Sequence, residues 1–285
     1  MTAKETSMTI FKAACIQMRS ARSVVENLRT ASEMIREAAS AGADFIATPE
    51  NTTIMETDHE KLADTIYDDD GNNPSLRAFQ ALTDEIKRWV LIGSLPVRWG
   101  DGRFANRSVL IKPDGSVAAR YDKIHMFDVQ VSETEQYRES KRYRPGAEAV
   151  LAELPWGRLG MTICYDLRFA YLYRALATAG ASLLTVPSAF TKVTGQAHWH
   201  VLLRARAIET GCFVLAPAQG GTHENGRQTF GHTLIVNPWG QVIGEASDEP
   251  GIVIAKIDTE EVTKARARIP ALEHTVEGLT LSHKA

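Results

Sequence analysis

The chain has 285 residues, with 32 lysines and arginines against 35 aspartates and glutamates, a net charge of −3 and a pI of about 6.3. This nearly balanced charge argues against a nucleic-acid partner or an anionic membrane surface, and no apolar run approaches the length of a membrane span. A chain of this length can bury about three quarters of its unfolded surface, so its core needs neither a metal nor a disulfide. Three cysteines cannot form a disulfide framework and fit a reducing compartment, which predicts a cytoplasmic protein.

The apolar pattern predicts alternating strands and helices. Residues 1–8 are expected to be a disordered lead-in, residues 9–270 a single domain and residues 271–285 a C-terminal tail. A strand over 9–17 precedes a helix whose apolar residues share one face. The later elements, in chain order, are a strand ending at residue 48, a helix over 74–88, strands over 89–95, 106–111 and 116–120, a helix over 169–179, a strand over 182–186, a helix over 196–209, and strands over 212–218, 229–236, 241–245 and 252–257. This order predicts an α/β layered domain.

One cysteine stands at a strand end. An apolar run stops at Cys164, and a polar turn leads into the helix predicted over 169–179. A thiol on such a turn is held rigidly and can face a cleft, and the turn directs backbone N–H groups, such as that of Tyr165, towards groups beside the sulfur. The alternative for Cys164 is a buried cysteine with a structural role only. Cys15 and Cys212 lie inside apolar runs and are expected in the core.

Two other strand ends supply the charges that a reactive thiol needs. Pro49 cannot donate a hydrogen bond to a sheet, so the strand should stop there and present Glu50 at its edge. Lys123 follows the strand predicted over 116–120. Either residue alone would usually be solvated. A carboxylate, an ammonium and a thiol, each after a strand, predict a nucleophilic site.

These segments resemble the nitrilase, or carbon–nitrogen hydrolase, superfamily, and the resemblance runs from about residue 10 to about residue 269. It is strongest to the Nit branch, through segments 187–190, 194–199, 203–209, 231–233 and 236–240. The resemblance implies an αββα sandwich that dimerises into an αββα–αββα block, so a homodimer or larger homo-oligomer is expected. It also implies a Glu-Lys-Cys triad of Glu50, Lys123 and Cys164, and no cofactor is expected.

The resemblance further implies a second glutamate, in a Glu-Ser pair within a loop after the lysine. Glu139 fits that pair, and Glu133, Glu135 and Glu148 are the alternatives nearby. In this family pattern the second glutamate orients the lysine and helps to position the substrate or water.

The Nit branch implies an amidase that cleaves a small, carboxylate-bearing amide through a cysteine thioester and releases ammonia. Members of the branch act on deaminated glutathione and on ω-amides of 2-oxo acids. ω-Amidase, N-carbamoyl hydrolase and nitrilase activities use the same triad and stay open, as does a catalytically idle interaction protein on the same fold. A buried charge cluster costs stability, which argues against the idle protein.

Four further residues are expected to bind the substrate. Phe190 and Thr191 lie just past the strand over 182–186, where an α/β sheet usually opens its ligand crevice. Lys192 and Arg168 are nearby cations that could offset the desolvation of a substrate carboxylate.

Histidines gather around the helix predicted over 196–209. His198 and His200 are two residues apart, a spacing that a helix turns to different faces. No carboxylate or cysteine stands at a known ligand spacing, so no metal site is predicted. His200 also departs from the Nit branch, which usually has glutamate there. The position is expected near the pocket and so bears on substrate preference.

Overall fold

The computed structural model describes residues 9–68, 72–131, 133, 135–274, 276, 278, 280 and 282. The lead-in predicted over 1–8 lies outside the described residues, as does about half of the tail predicted over 271–285, so these domain boundaries stay predictions. Within the described ranges, no helix combines the length and apolar character needed to cross a membrane.

Strands and helices alternate along the described chain. The strands are β1 (Ile10–Gln17), β2 (Phe45–Ala47), β3 (Trp89–Arg98), β4 (Phe104–Ile111), β5 (Val117–Asp122), β6 (Asp128–Gln130), β7 (Gln136–Arg138), β8 (Val150–Leu154), β9 (Gly157–Met161), β10 (Ala181–Thr185), β11 (Phe213–Ala216), β12 (Gly220–Thr222), β13 (Gln228–Phe230), β14 (Leu234–Val236), β15 (Val242–Glu245) and β16 (Gly251–Asp258). The α-helices are α1 (Val24–Ser40), α2 (His59–Thr65), α3 (Pro74–Ile86), α4 (Ala170–Thr178), α5 (Lys192–Thr210) and α6 (Glu260–Arg268). Short 3₁₀ helices span Glu139–Lys141 and Cys164–Arg168.

The first sheet has the strand order β16-β1-β2-β3-β4-β5. Strands β1, β2 and β3 are parallel, and the remaining pairs are antiparallel. Helices α1 and α3 cover one face, because the buried stripe of α1 packs with the side chains of Ile16 and Ile46 on the sheet. Successive residues of a strand point to opposite faces, so Ala13 and Cys15 face the other way.

The second sheet has the order β15-β14-β11-β10-β9-β8, and helices α4 and α5 contact its central strands, β9, β10, β11 and β14. Strands β9, β10 and β11 are parallel. The inner faces of both sheets share one apolar core, in which Phe11 and Cys15 of the first sheet pack with Leu159, Met161 and Val214 of the second. The predicted αββα sandwich is therefore confirmed.

Among the element boundaries that differ from the predicted ones, two have a clear local cause. Helix α5 begins at Lys192 instead of near residue 196, because the hydroxyl of Thr191 caps it by accepting the N–H of Thr194 at 3.4 Å. The strand predicted over 229–236 is divided into β13 and β14. Gly231 and His232 separate them with φ angles of 72° and 53°, which an extended strand cannot contain.

The loop after β2, which carries Glu50, lies directly on strand β3. The N–H of Ser94 donates to the carbonyl of Pro49 at 3.3 Å. Gly93 allows this close approach, because a Cβ there would lie 2.0 Å from the carbonyl oxygen of Thr48 and 2.5 Å from that of Pro49. Any side chain at position 93 would therefore displace the loop that holds Glu50.

We expect Gly93→Ala to lower the free energy of unfolding by about 1–3 kcal/mol, the usual cost of forcing extra atoms into a packed interior. Urea unfolding followed by circular dichroism measures the change. Gly251→Ala is the matched control, because a Cβ there meets no atom within 4 Å. Equal stability of the two variants would contradict the close-approach account.

Candidate active site

A cavity opens beside the ends of strands from both sheets, and Glu50, Lys123, Glu139 and Cys164 all line it. The empty space within it is about 720 Å³, including the open mouth. Residues more than a hundred positions apart in sequence therefore meet at one place.

The ammonium of Lys123 lies between two carboxylates. Its Nζ donates to Glu50 Oε1 at 2.9 Å and to both carboxylate oxygens of Glu139 at 3.0 Å, and the side chain is 2% exposed. The amide of Asn106 donates to Glu50 Oε1 at 2.9 Å and to Glu139 Oε1 at 3.4 Å. The Phe127 N–H donates to Glu139 Oε2 at 2.6 Å. Every member of this charge cluster is thus fixed by more than one hydrogen bond.

The charges of the cluster stabilise one another. Burial alone would lower the pKa of Lys123, but the carboxylates of Glu139 and Glu50 outweigh it and hold that pKa well above its ordinary value. Burial raises the pKa of Glu50, yet the ammonium of Lys123 reverses the shift, so the net pKa is lowered. Lys123 and Glu50 are therefore both ionised near neutral pH.

Cys164 lies on a strained turn. Its φ of 49° is left-handed, which is uncommon for a residue other than glycine, and its N–H donates to the carbonyl of Pro187 at 3.0 Å. Burial and then the charge of Glu50 raise the pKa of the thiol, so the sulfur is protonated at rest. The Glu50 carboxylate lies close enough to the thiol to raise its pKa, and its Oε2 accepts the N–H of Ala189 at 2.8 Å. An acceptor for the thiol proton is therefore near the sulfur.

The backbone beside the sulfur can bind an oxyanion. The N–H of Tyr165 makes no hydrogen bond to any part of the chain that the structure describes, and Tyr165 lines the cavity next to Cys164. With the Lys123 ammonium, this N–H provides a second donor near the thiol.

A buried aspartate joins the lysine segment to the cysteine turn. The carboxylate of Asp166 accepts the Tyr121 hydroxyl at 2.6 Å, the His125 N–H at 3.0 Å and the Ile163 N–H at 2.9 Å. These three donors hold Asp166 between the lysine segment and the cysteine turn. The only sequence feature that pointed to this aspartate was its position two residues after Cys164.

Phe190 and Thr191, expected as pocket walls, line the cavity. The two predicted cations do not. Lys192 is the first residue of α5, so its side chain is exposed and lines a separate depression. The guanidinium of Arg168 packs 5.4 Å from the ring of Phe190 and lies outside the cavity lining.

Three other arginines line the cavity and were missed by sequence reasoning: Arg138, Arg142 and Arg227. Arg227 donates from Nη2 to the carbonyl of Ala189 at 2.7 Å, and its guanidinium lies 5.5 Å from the ring centre of Tyr137. Its Nε is buried and has no hydrogen-bond partner within the described residues. An isolated arginine in the turn between β12 and β13 carries no sequence signal for such a role.

The remaining predicted positions lie elsewhere. Glu133 and Glu148 are exposed, and Glu135 accepts the hydroxyl of Tyr137 at 2.6 Å, so Glu139 is the acid of this loop that reaches Lys123. His200, expected near the pocket, does not line the cavity. It contacts Glu245 instead, because it lies beyond the first turns of α5 and on a side of the helix that faces away from the cavity.

Comparison with known proteins agrees with this geometry. The model of the carbon–nitrogen hydrolase family matches residues 12–267. A deaminated glutathione amidase of Synechocystis sp. is 39% identical over 94% of this chain and 99% of that protein. One of Yersinia enterocolitica is 40% identical over 92% of this chain and 91% of that protein.

Among solved structures, the NitFhit protein of C. elegans superposes with a TM-score of 0.87 at 32% identity, over 95% of this chain and 66% of that one. The family match spans most of the chain, and the two amidases align over nearly their full length. The chain belongs to the carbon–nitrogen hydrolase family.

Proposed function

We propose that the protein is an amidase that uses Cys164 as nucleophile, Glu50 as general base, Lys123 as oxyanion donor and Glu139 as the residue that orients Lys123. The observation that carries this proposal is that one thiol, one ammonium and two carboxylates line a single cavity, with the ammonium bonded to both carboxylates. An amide is a poor electrophile, so a nucleophile stronger than water and a stabilised oxyanion are both required.

Acylation begins with the protonated thiol. Glu50 takes its proton as the sulfur attacks the amide carbon, and the oxyanion that forms is bound by the Lys123 ammonium and the Tyr165 N–H. When the tetrahedral intermediate collapses, the C–N bond breaks and Glu50 gives the proton to the leaving nitrogen. A thioester on Cys164 remains.

Deacylation repeats these steps with water. Glu50 takes a proton from water as the oxygen attacks the thioester carbon, and the same donors bind the second oxyanion. The C–S bond then breaks, the sulfur regains its proton from Glu50, and the acid product leaves. Glu139 keeps Lys123 in position throughout, because it binds the ammonium through both of its oxygens.

The arginines of the cavity favour an anionic substrate. Deaminated glutathione, the substrate named for the relatives, carries carboxylates whose desolvation is costly unless cations face them. Arg227 suits this task, because it lines the cavity and its buried Nε has no hydrogen-bond partner among the described residues. A primary amide such as 2-oxoglutaramate would release ammonia, whereas deaminated glutathione would release the amine of cysteinylglycine.

We also propose a cytoplasmic homodimer. The three cysteines are buried and free, as in a reducing compartment. Helix α5 exposes Val193, Val201 and Ile208, which are 56%, 67% and 54% exposed and share one helical face. An apolar stripe of this kind favours contact with a second copy of the chain, and light scattering distinguishes one chain from two.

We expect Cys164→Ala to abolish hydrolysis of every amide tested, because no other thiol lines the cavity within the described residues. Release of the acid product is the measurement. Cys212→Ala makes the same chemical change in the core and should retain turnover at reduced stability. In the parent enzyme, hydroxylamine should divert part of the product to hydroxamate. Product from Cys164→Ala at the parent rate would refute covalent catalysis.

We expect Glu139→Gln to lower kcat by at least about a hundredfold, because the amide cannot balance the Lys123 charge. Steady-state kinetics give the value. Glu148→Gln changes an exposed acid of the following segment and should behave as the parent. An active Glu139 variant would remove the second acid from the mechanism.

We expect Arg227→Gln to lower kcat/KM for deaminated glutathione about 10–100-fold more than for a neutral aliphatic amide, the range for losing a charged hydrogen bond. The ratio between substrates is decisive, since a structural disturbance would lower both. Lys192→Gln, which removes an exposed cation outside the cavity, is the control.

The same assay, extended to 2-oxoglutaramate, an N-carbamoyl amino acid and a nitrile, distinguishes the alternative activities of the triad. A preference for neutral amides that is unchanged in Arg227→Gln would refute the anionic substrate and leave the cysteine chemistry intact.

A further inference from the structure

Three side chains with metal-binding atoms meet outside the catalytic cavity. His200 belongs to α5, His232 lies just before β14, and Glu245 is the last residue of β15. Glu245 Oε1 lies 2.9 Å from His200 Nε2 and 3.0 Å from His232 Nδ1, and all three ligand atoms lie within 4.8 Å of one another. None of the three lines the catalytic cavity, so the mechanism does not use them.

Neighbouring contacts fix both imidazoles. The ring of Phe230 stacks on that of His232, with centroids 4.4 Å apart and planes at 24°, and meets the ring of His200 edge-on at 6.0 Å. The backbone of His232 is held on both sides, because its N–H donates to the Ser247 carbonyl at 3.0 Å and its carbonyl accepts the indole N–H of Trp199 at 2.7 Å. The donor atoms are thus held near one another before any ligand arrives.

We propose that His200, His232 and Glu245 bind a divalent transition-metal ion, with Zn²⁺ as the best match. Two imidazole nitrogens and one carboxylate oxygen are a known three-ligand set for Zn²⁺, whose fourth position is then open. Bonds of about 2.0–2.1 Å in a tetrahedron place neighbouring ligand atoms about 3.3 Å apart. The two carboxylate–imidazole separations are a few tenths of an ångström shorter than this, and the two imidazole nitrogens lie within 4.8 Å of each other.

A bound ion would join helix α5 to the edge of the second sheet. The three ligands come from segments up to 45 residues apart, and they are gathered only in the folded chain. An ion that binds the folded but not the unfolded chain raises stability in proportion to the logarithm of its concentration above Kd. The site is therefore structural, since its ligands lie outside the cavity that holds the thiol.

Metal binding is tested with tag-free Cys164→Ser protein, which removes the catalytic thiol as a competing ligand. Titration with Zn²⁺ alone should give one ion per chain and a higher melting temperature. Co²⁺ used as a probe should develop visible absorption bands. Calorimetry should find that His200→Gln and Glu245→Gln each weaken Zn²⁺ binding by at least about tenfold. Mutation of residues that only hydrogen-bond to metal ligands already lowers metal affinity by that factor.

His198→Gln is the matched control, because His198 lies two residues away on the same helix and contacts Arg168 instead. It should bind Zn²⁺ as the parent does. Circular dichroism of the metal-free variants verifies that each is folded. Binding that is absent from the parent, or that persists unchanged in His200→Gln and Glu245→Gln, would overturn the proposal and leave these residues as a hydrogen-bonded cluster.

Discussion

The site depends on the ion pairs that the buried Lys123 ammonium makes with Glu50 and Glu139. A charge that is almost fully removed from water is tolerated only where opposite charges and hydrogen bonds surround it, and Glu50 and Glu139 provide both. Each carboxylate is in turn held by the amide of Asn106. Removing one partner leaves another charge uncompensated, so the loops that carry these residues must fold together. The geometry of the proposed catalytic site and its local stability therefore have the same origin.

The proposed nucleophile, Cys164, follows a strand of the second sheet, and the contact between the two sheets sets its position. Asp166 accepts hydrogen bonds from Tyr121 of the first sheet and from Ile163 at the end of the second. The same aspartate thereby fixes the segment before Lys123 and the turn that holds Cys164 in its left-handed conformation. A carboxylate without access to water and with several donors forms a rigid link, so relative sliding of the two sheets at this point would leave donors unpaired.

Strand periodicity and the Pro-Glu and Cys-turn signals are local, so the sequence alone predicted an α/β domain and the residues that follow strand ends, whereas the αββα sandwich was implied by the resemblance to the nitrilase superfamily. Glu50 and Cys164 could be identified in this way. Asn106 and Arg227 could not, since their roles arise from pairing between segments distant in sequence, and a single polar residue in a strand or turn has no distinguishing pattern. Lys192 was misplaced for a local reason: the cap that starts α5 lies one residue before it, which turns the side chain out of the cavity.

Histidine spacing on α5 illustrates the same limit. The helix does turn His198 and His200 to different neighbours, as the spacing predicts. In the sequence, no carboxylate stands at a known ligand spacing from these histidines. The fold provides one, because strand β15 brings Glu245 beside His200. Helix α5 also connects the two clusters, since Thr194 in its first turn lines the cavity while His200 lies two turns further on. A ligand that holds His200 to the sheet would restrain the same rigid helix whose first turn forms part of the cavity wall.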